Sequence, residues 1–178
     1  MSEIGTNAEY CQPTNRLTQS FGGSPVHRIP IRDIMKTPVV TISPDALAVD
    51  AAQLMEEHSV RRLPVVDQDG LLIGIVTDSD VLEAETAETV LSSYEPGAEE
   101  EWLAVEDVMT RDIVTISPEH SVGELAIQFM KHKVGGVPVV EPVDDDGAET
   151  GRLRTIGIVT ETDIFRLIAD AWLAEEKD

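Results

Sequence analysis

Two threonine–aspartate pairs, Thr77 with Asp80 and Thr160 with Asp163, have the residue types and spacing best suited to ligand chemistry in this chain. Each closes an apolar run, GIVTDSD from Gly74 and GIVTETD from Gly157, where a strand gives way to a helix-opening segment. The first turn of a helix leaves backbone N–H groups unpaired at the positive end of its dipole, a natural seat for phosphate. A threonine hydroxyl there can donate to a phosphate oxygen, and an aspartate one turn on can accept from both hydroxyls of a ribose. The same spacing also fits a helix cap, with threonine at the N-cap and aspartate three residues on. Two features favour the ligand reading. The usual reciprocal partner in a cap is the longer glutamate or glutamine, yet aspartate stands at both junctions. Gly74 and Gly157 also leave room for close approach to the strand.

Both pairs belong to a repeat. Asp33 to Val66 and Asp107 to Val140 align at a constant offset of 74 positions, with Met35/Met109, Thr41/Thr115, Ser43/Ser117, Pro44/Pro118, His58/His132 and Pro64/Pro138 among the identical pairs. The GIVT blocks lie 83 positions apart, so the second copy carries nine extra residues, placed within Pro142 to Arg152. A repeat of this length is a whole supersecondary unit, and two copies imply a pseudo-twofold body with two equivalent clefts.

The elements that must position the junctions follow from periodicity. In the first copy, Val39 to Ile42 reads as a short strand, and Leu47, Ala51, Leu54, Met55 and His58 fall at helical spacing. Leu63 to Val66 and Leu71 to Val76 read as strands joined by a hairpin turn at Asp69-Gly70. A helix follows from Thr77 toward Leu91. In the second copy, Thr115-Ile116 is the strand. Ser121 and Glu124 form a capping box ahead of Val122, Leu125, Ala126, Phe129 and Met130 on one helical face. Val137 to Val140 and Thr155 to Val159 are the paired strands. The closing helix, from Glu161 to about Ala174, carries a stripe of Ile164, Ile168, Ala171 and Trp172. The nine extra residues, with the acidic run Asp144-Asp145-Asp146-Gly147, read as a solvated loop. They lack the spaced oxygen ligands and terminal glutamate of a calcium loop. Each copy is thus strand, helix, strand, strand, helix, an α+β unit. The expected division is a disordered tail over 1–25, a first domain over 26–91, a linker over 92–104 with a short helix bearing Trp102, and a second domain over 105–178.

Composition narrows the function classes. The 178 residues carry a formal charge of −21, a field that repels nucleic-acid backbones and anionic membranes. One cysteine, Cys11, excludes an internal disulfide framework or a multi-cysteine metal site, and four scattered histidines make no metal cluster. His58 and His132 share a helix C-terminal position, where a cation suits the dipole. The longest apolar run, Leu71 to Val76, is far short of the roughly 20 residues that span a bilayer, and no secretory signal is visible. A cytoplasmic location is the expectation. There is no nucleophile-plus-base constellation and no Walker loop, so an enzyme is not expected.

The order D-h-M, T-h-S-P, h-P-V-V, G-h-V-T-x-x-D, where h is an apolar residue, occurs twice and resembles the CBS domain, named for cystathionine β-synthase. The resemblance covers about Ile31 to Leu91 and Val105 to Trp172. Two in tandem look like a Bateman module, packed with pseudo-twofold symmetry. The family commonly binds AMP, ADP, ATP or S-adenosylmethionine as a regulatory ligand, with no required cofactor. The resemblance implies that Thr77, Asp80, Thr160 and Asp163 hold ribose and phosphate. It places adenine between Val39-Val40 and Val60-Arg61-Arg62 in one copy, and between Ile113-Val114 and Val134-Gly135-Gly136 in the other. The valines also read as plain core.

The copies differ where charge matters, since Arg61-Arg62 corresponds to Gly135-Gly136. Adjacent arginines can trap an anion through bidentate bonds, or simply pair with surface carboxylates. Across a pseudo-twofold they can serve either cleft. The resulting expectation is a stand-alone regulatory module for an adenine nucleotide, acting on an unknown effector protein. A homodimer would bury Ile164, Phe165, Ile168 and Trp172. The alternative is a ligand-free scaffold that oligomerises or docks on a partner.

Overall fold

The computed structural model describes residues 25–84, 86, 103–145 and 148–175. The expected tail over 1–25 apart from Pro25, most of the linker and Trp102 lie outside the described residues. The chain opens with two 3-10 turns, Val26–Arg28 and Ile31–Asp33. Helix α1 (Ala48–Glu57), strands β1 (Arg62–Val66) and β2 (Leu72–Thr77), and helix α2 (78–84) complete the first copy. The second copy runs through the short α3 (Val105–Val108), α4 (Val122–His132), β3 (Gly136–Asp145), β4 (Ala148–Thr160) and α5 (Glu161–Glu175).

β1 pairs antiparallel with β2, and β3 with β4. The expected first strand of each copy shrinks to one residue. Ile42 makes a parallel bridge to Val65, and Ile116 makes the same bridge to Val139. Each repeats one bond scheme: Ile42 N–H donates to the Pro64 carbonyl and the Ile42 carbonyl accepts from Val66 N–H, while Ile116 does the same with Pro138 and Val140. The proline at the ladder position has no N–H to give, so it serves as acceptor only and pairing stops early.

The nine extra residues do not form the expected loop. They lengthen the second hairpin, in which Pro142 pairs with Leu153 and Asp144 with Glu149. A register shift between Pro142 and Asp144 accommodates the proline, as bulges do. Asp146-Gly147 lies outside the described residues.

Two helical faces are also redrawn. On α4, Val122, Leu125 and Phe129 are buried as expected, but Met130 is 82% exposed. On α5 the inward residues are Asp163, Leu167 and, partly, Ile164, whereas Ile168 and Trp172 face outward. The inward face of α5 follows i, i+3/i+4 spacing from Asp163, and the apolar residues one step further round lie on the other side. The Ser121–Glu124 capping box forms as read, with the Ser121 N–H and hydroxyl both donating to Glu124 Oε2 at 2.8 Å. Those bonds hold the Glu124 carboxyl below its usual pKa.

The two cores exchange their leading segments. Ile29 and Ile31, ahead of the first copy, pack with Ile116, Val122, Leu125, Phe129, Val137, Val139 and Val159 of the second. Val105 and Met109, at the head of the second copy, pack with Ile42, Ala51, Met55, Leu63, Val65 and Val76 of the first. Backbone bonds repeat the exchange symmetrically. Ile31 N–H donates to the His120 carbonyl, and Val105 N–H to that of Ala46, both at 2.8 Å. The D-h-M motif thereby meets the G-h-V-T motif of the other copy. A Cβ on Gly157 would lie 2.6 Å from the Met35 sulfur, and one on Gly74 would collide with the Met109 sulfur. The space left by these glycines is therefore filled by methionine. It is not open for a ligand, contrary to the reading from sequence.

Gly157→Ala should accordingly destabilise the full chain by about 1–3 kcal/mol, the usual cost of overpacking a tight contact. In a Met35→Ala background the same substitution should cost far less. Urea unfolding of the double-mutant cycle measures that coupling.

Candidate functional site

Each junction is built by a strand end held against the loop before the preceding strand. Asp78 N–H donates to the Arg61 carbonyl at 3.0 Å, and Glu161 N–H to the Gly135 carbonyl at 3.1 Å. This fixes Thr77 and Thr160 at the last strand position, with their hydroxyls over the first helical turn. Thr77 N–H and Oγ1–H both donate to Asp80 Oδ2, at 2.8 and 2.7 Å. Thr160 N–H and Oγ1–H donate to Asp163 Oδ2 at 2.9 and 2.6 Å. Both carboxylates therefore cap their junctions, and at the first Asp80 N–H also donates back to Thr77 Oγ1 at 3.4 Å. Aspartate in place of the usual glutamate, which the sequence reading takes as favouring a ligand, is therefore no mark against a cap: Asp50 and Asp107 accept from the Leu47 and Ala104 N–H groups in the same way.

The second oxygens differ. Asp163 is 6% exposed, and its Oδ1 receives Lys36 Nζ at 3.1 Å and lies 3.9 Å from Arg166 Nη1. Among the described residues Asp80 Oδ1 has no hydrogen-bond or ion-pair partner. Lys36 reaches the second junction because its segment pairs there: Lys36 N–H donates to the Ile158 carbonyl at 2.9 Å and its carbonyl accepts from Ile158 N–H at 3.1 Å. Thr110, its counterpart 74 positions on, pairs in the same way with Ile75 beside the first junction.

Sequence reasoning missed Lys36 and Thr110. The signal was the residue after each D-h-M, which reads as surface until the exchange of leading segments is known.

Arg62 crosses the pseudo-twofold. Its Nη1 donates to the Gly136 carbonyl at 2.8 Å, joining two positions that are equivalent in the repeat. A Cβ on Gly136 would lie 2.9 Å from that nitrogen and from the Thr160 methyl. The arginine in one copy thus packs close over the glycine in the other, and a side chain there would make the guanidinium shift. Burial pushes the Arg62 pKa down, opposed by the charges of Asp78 and Glu161. Those two acids are themselves counterparts, so the guanidinium sits between equivalent carboxylates. Arg61 is exposed.

Val40 and Val60 pack against the first core, and Val114 and Val134 against the second, so the core reading holds for these four. Val39 and Ile113 are half-buried. Val39 also lines an open cavity of about 430 Å³ with Pro38, Thr41, Val66, Gly70, Arg154, Thr155 and Ile156. That cavity lies toward the hairpin turns and includes none of the four threonine and aspartate residues. Among the described residues no cluster of three or more His, Cys, Asp or Glu is arranged for a metal ion, and no helix is long and apolar enough to cross a membrane.

Comparison with known proteins agrees with this duplicated architecture. The model of the CBS domain matches residues 31–87 and 105–170. The chain belongs to the CBS-domain family. An L-aspartate semialdehyde sulfurtransferase of Methanocaldococcus jannaschii is 31% identical over 137 residues, which are 77% of this chain and 23% of that relative. The chain spans about a quarter of the length of the first curated relatives it matches. Among solved structures, the CBS domain pair of protein MJ0100, in complex with 5′-methylthioadenosine and S-adenosyl-L-methionine, is 31% identical with a TM-score of 0.62. The alignment covers 83% of this chain and 99% of that one. CBSX2 in complex with AMP is 27% identical with a TM-score of 0.60, over 80% of this chain and 98% of the other.

The caps themselves are measurable in this CBS pair. Asp80→Ala, which leaves the Thr77 N–H and hydroxyl without their acceptor, should cost about 1 kcal/mol. Asp80→Asn keeps one oxygen for the cap and should cost clearly less. Thermal unfolding of the two variants makes the comparison.

Proposed function

We propose that this chain is a regulatory module that binds adenosine-containing ligands at its two strand-to-helix junctions. The observation that carries the reading is the division of labour within each aspartate: Oδ2 caps the helix, and Oδ1 is not consumed by the fold's own backbone. That oxygen, beside a helix N-terminus, is an acceptor for a ribose hydroxyl. The two CBS pairs with adenosine compounds bound support the chemistry. The ligand is AMP, ADP, ATP or S-adenosylmethionine, and binding regulates an effector protein rather than a reaction within the chain. Val39, Val40, Val60, Arg61 and Arg62 flank the adenine of one cleft, and Ile113, Val114, Val134, Gly135 and Gly136 that of the other, with the two arginines also able to meet a phosphate.

A ligand-free docking scaffold is the second reading. It is favoured by the outer face of α5, where Phe165 is 67%, Ile168 50% and Trp172 63% exposed. The homodimer expected from sequence would use this face, without Ile164, which packs inward.

A thermal-shift screen with AMP, ADP, ATP and S-adenosylmethionine separates the two. Ligand at about 100 times its dissociation constant should add about 2.7 kcal/mol of stability. Asp80→Asn with Asp163→Asn should remove that gain while each helix keeps its cap. A chain indifferent to every compound is a scaffold.

A further inference from the structure

The two junctions share a backbone but not a charge pattern. Lys36 at the second corresponds to Thr110 at the first, and Arg166 corresponds to Glu83. At the second junction, Asp163 Oδ1 already receives an ammonium at 3.1 Å, with a guanidinium nitrogen at 3.9 Å. At the first, the neighbouring charges on α2 are Asp78 and Glu83, and Thr110 brings none. We infer that Lys36 is an internal occupant of the second pocket, so the Thr77–Asp80 pocket fills first and the Thr160–Asp163 pocket fills only as its ligand displaces the lysine. This rests on the pocket reading proposed above and adds an order of filling to it.

The physical basis is competition for one oxygen. A ribose hydroxyl must donate to Asp163 Oδ1, and a charge-assisted bond from Lys36 holds that position. The carboxylate is nearly buried and needs a partner, while Lys36 is 51% exposed and can swing into water at modest cost. The contact is therefore strong enough to weaken the pocket and weak enough to yield. Its release also breaks the ion pair described between the leading segment, residues 26–36, and α5, leaving their apolar contact through Leu167 and Ile164. Filling the second pocket is thereby coupled to the chain's N-terminal side.

Isothermal titration of the full chain with AMP, and separately with S-adenosylmethionine, tests this. The wild type should show two unequal sites, the tighter lost in Asp80→Asn and the weaker in Asp163→Asn. Lys36→Met should tighten the weaker site about three- to tenfold and leave the tighter one unchanged, whereas Lys36→Arg should keep it weak. Thr110→Lys should weaken the tighter site. Unchanged or weakened binding in Lys36→Met, or loss of the tighter site in Asp163→Asn, overturns the inference while leaving the pockets in place. Wild-type protein that binds neither compound, nor ADP or ATP, overturns the pocket reading itself.

Discussion

The exchange of leading segments is the constraint on which the rest of this molecule depends. Met35 fills the space over Gly157 and Met109 the space beside Gly74, each methionine reaching the opposite copy. Neither hairpin is a stable object alone, because two strands in water are marginal. A helix on one side and a borrowed segment on the other complete each core. Because the loan is mutual, the two copies fold as one body, and the strand-to-helix junctions are lined by residues from both.

Symmetry accounts for the backbone, and its breaking accounts for the chemistry. The hydrogen bonds that seat Ile31 and Val105, or close the turns before Asp78 and Glu161, are near duplicates. A side chain on the axis cannot be duplicated. Arg62 lies on its own counterpart, Gly136, and two arginines there would occupy the same volume and repel. One arginine facing one glycine, between Asp78 and Glu161, satisfies both packing and charge. The guanidinium is partly buried, where an unpaired one would be costly, and its bond to the Gly136 carbonyl ties the two hairpins together.

The repeat, the helices, the hairpins and the α+β class were legible because duplication and hydrophobic period are local signals. The initial strands were overread. Val39 to Ile42 has the composition of a strand, yet only Ile42 pairs, since Pro64 withholds a donor from the neighbouring strand. The extra residues were underread, because Pro142 and three aspartates argue against a strand while a bulge admits the proline. The candidate residues at the junctions stood out by spacing. Lys36 did not, since nothing local reveals that a segment preceding one copy is placed against the other. Met130 misleads for the opposite reason: apolar identity and spacing put it on the face of Val122, Leu125 and Phe129, yet it is exposed.

The caps bear on how the proposed pockets would work. An aspartate that had to be recruited from solvent would lose side-chain freedom on binding, a cost of up to about 1–2 kcal/mol for flexible side chains. Here Thr77 and Thr160 already hold each carboxylate through two bonds. The acceptor is oriented before a ligand arrives, and the same bonds stabilise the helix whose N-terminus would face a phosphate. Capping and binding are therefore not rival uses of one residue. A carboxylate has two oxygens, and the strand-end threonine takes only one. What remains to distinguish the two junctions is the other oxygen, which Lys36 of one leading segment occupies at Asp163 and which, among the described residues, Thr110 of the other leaves without a charged partner at Asp80.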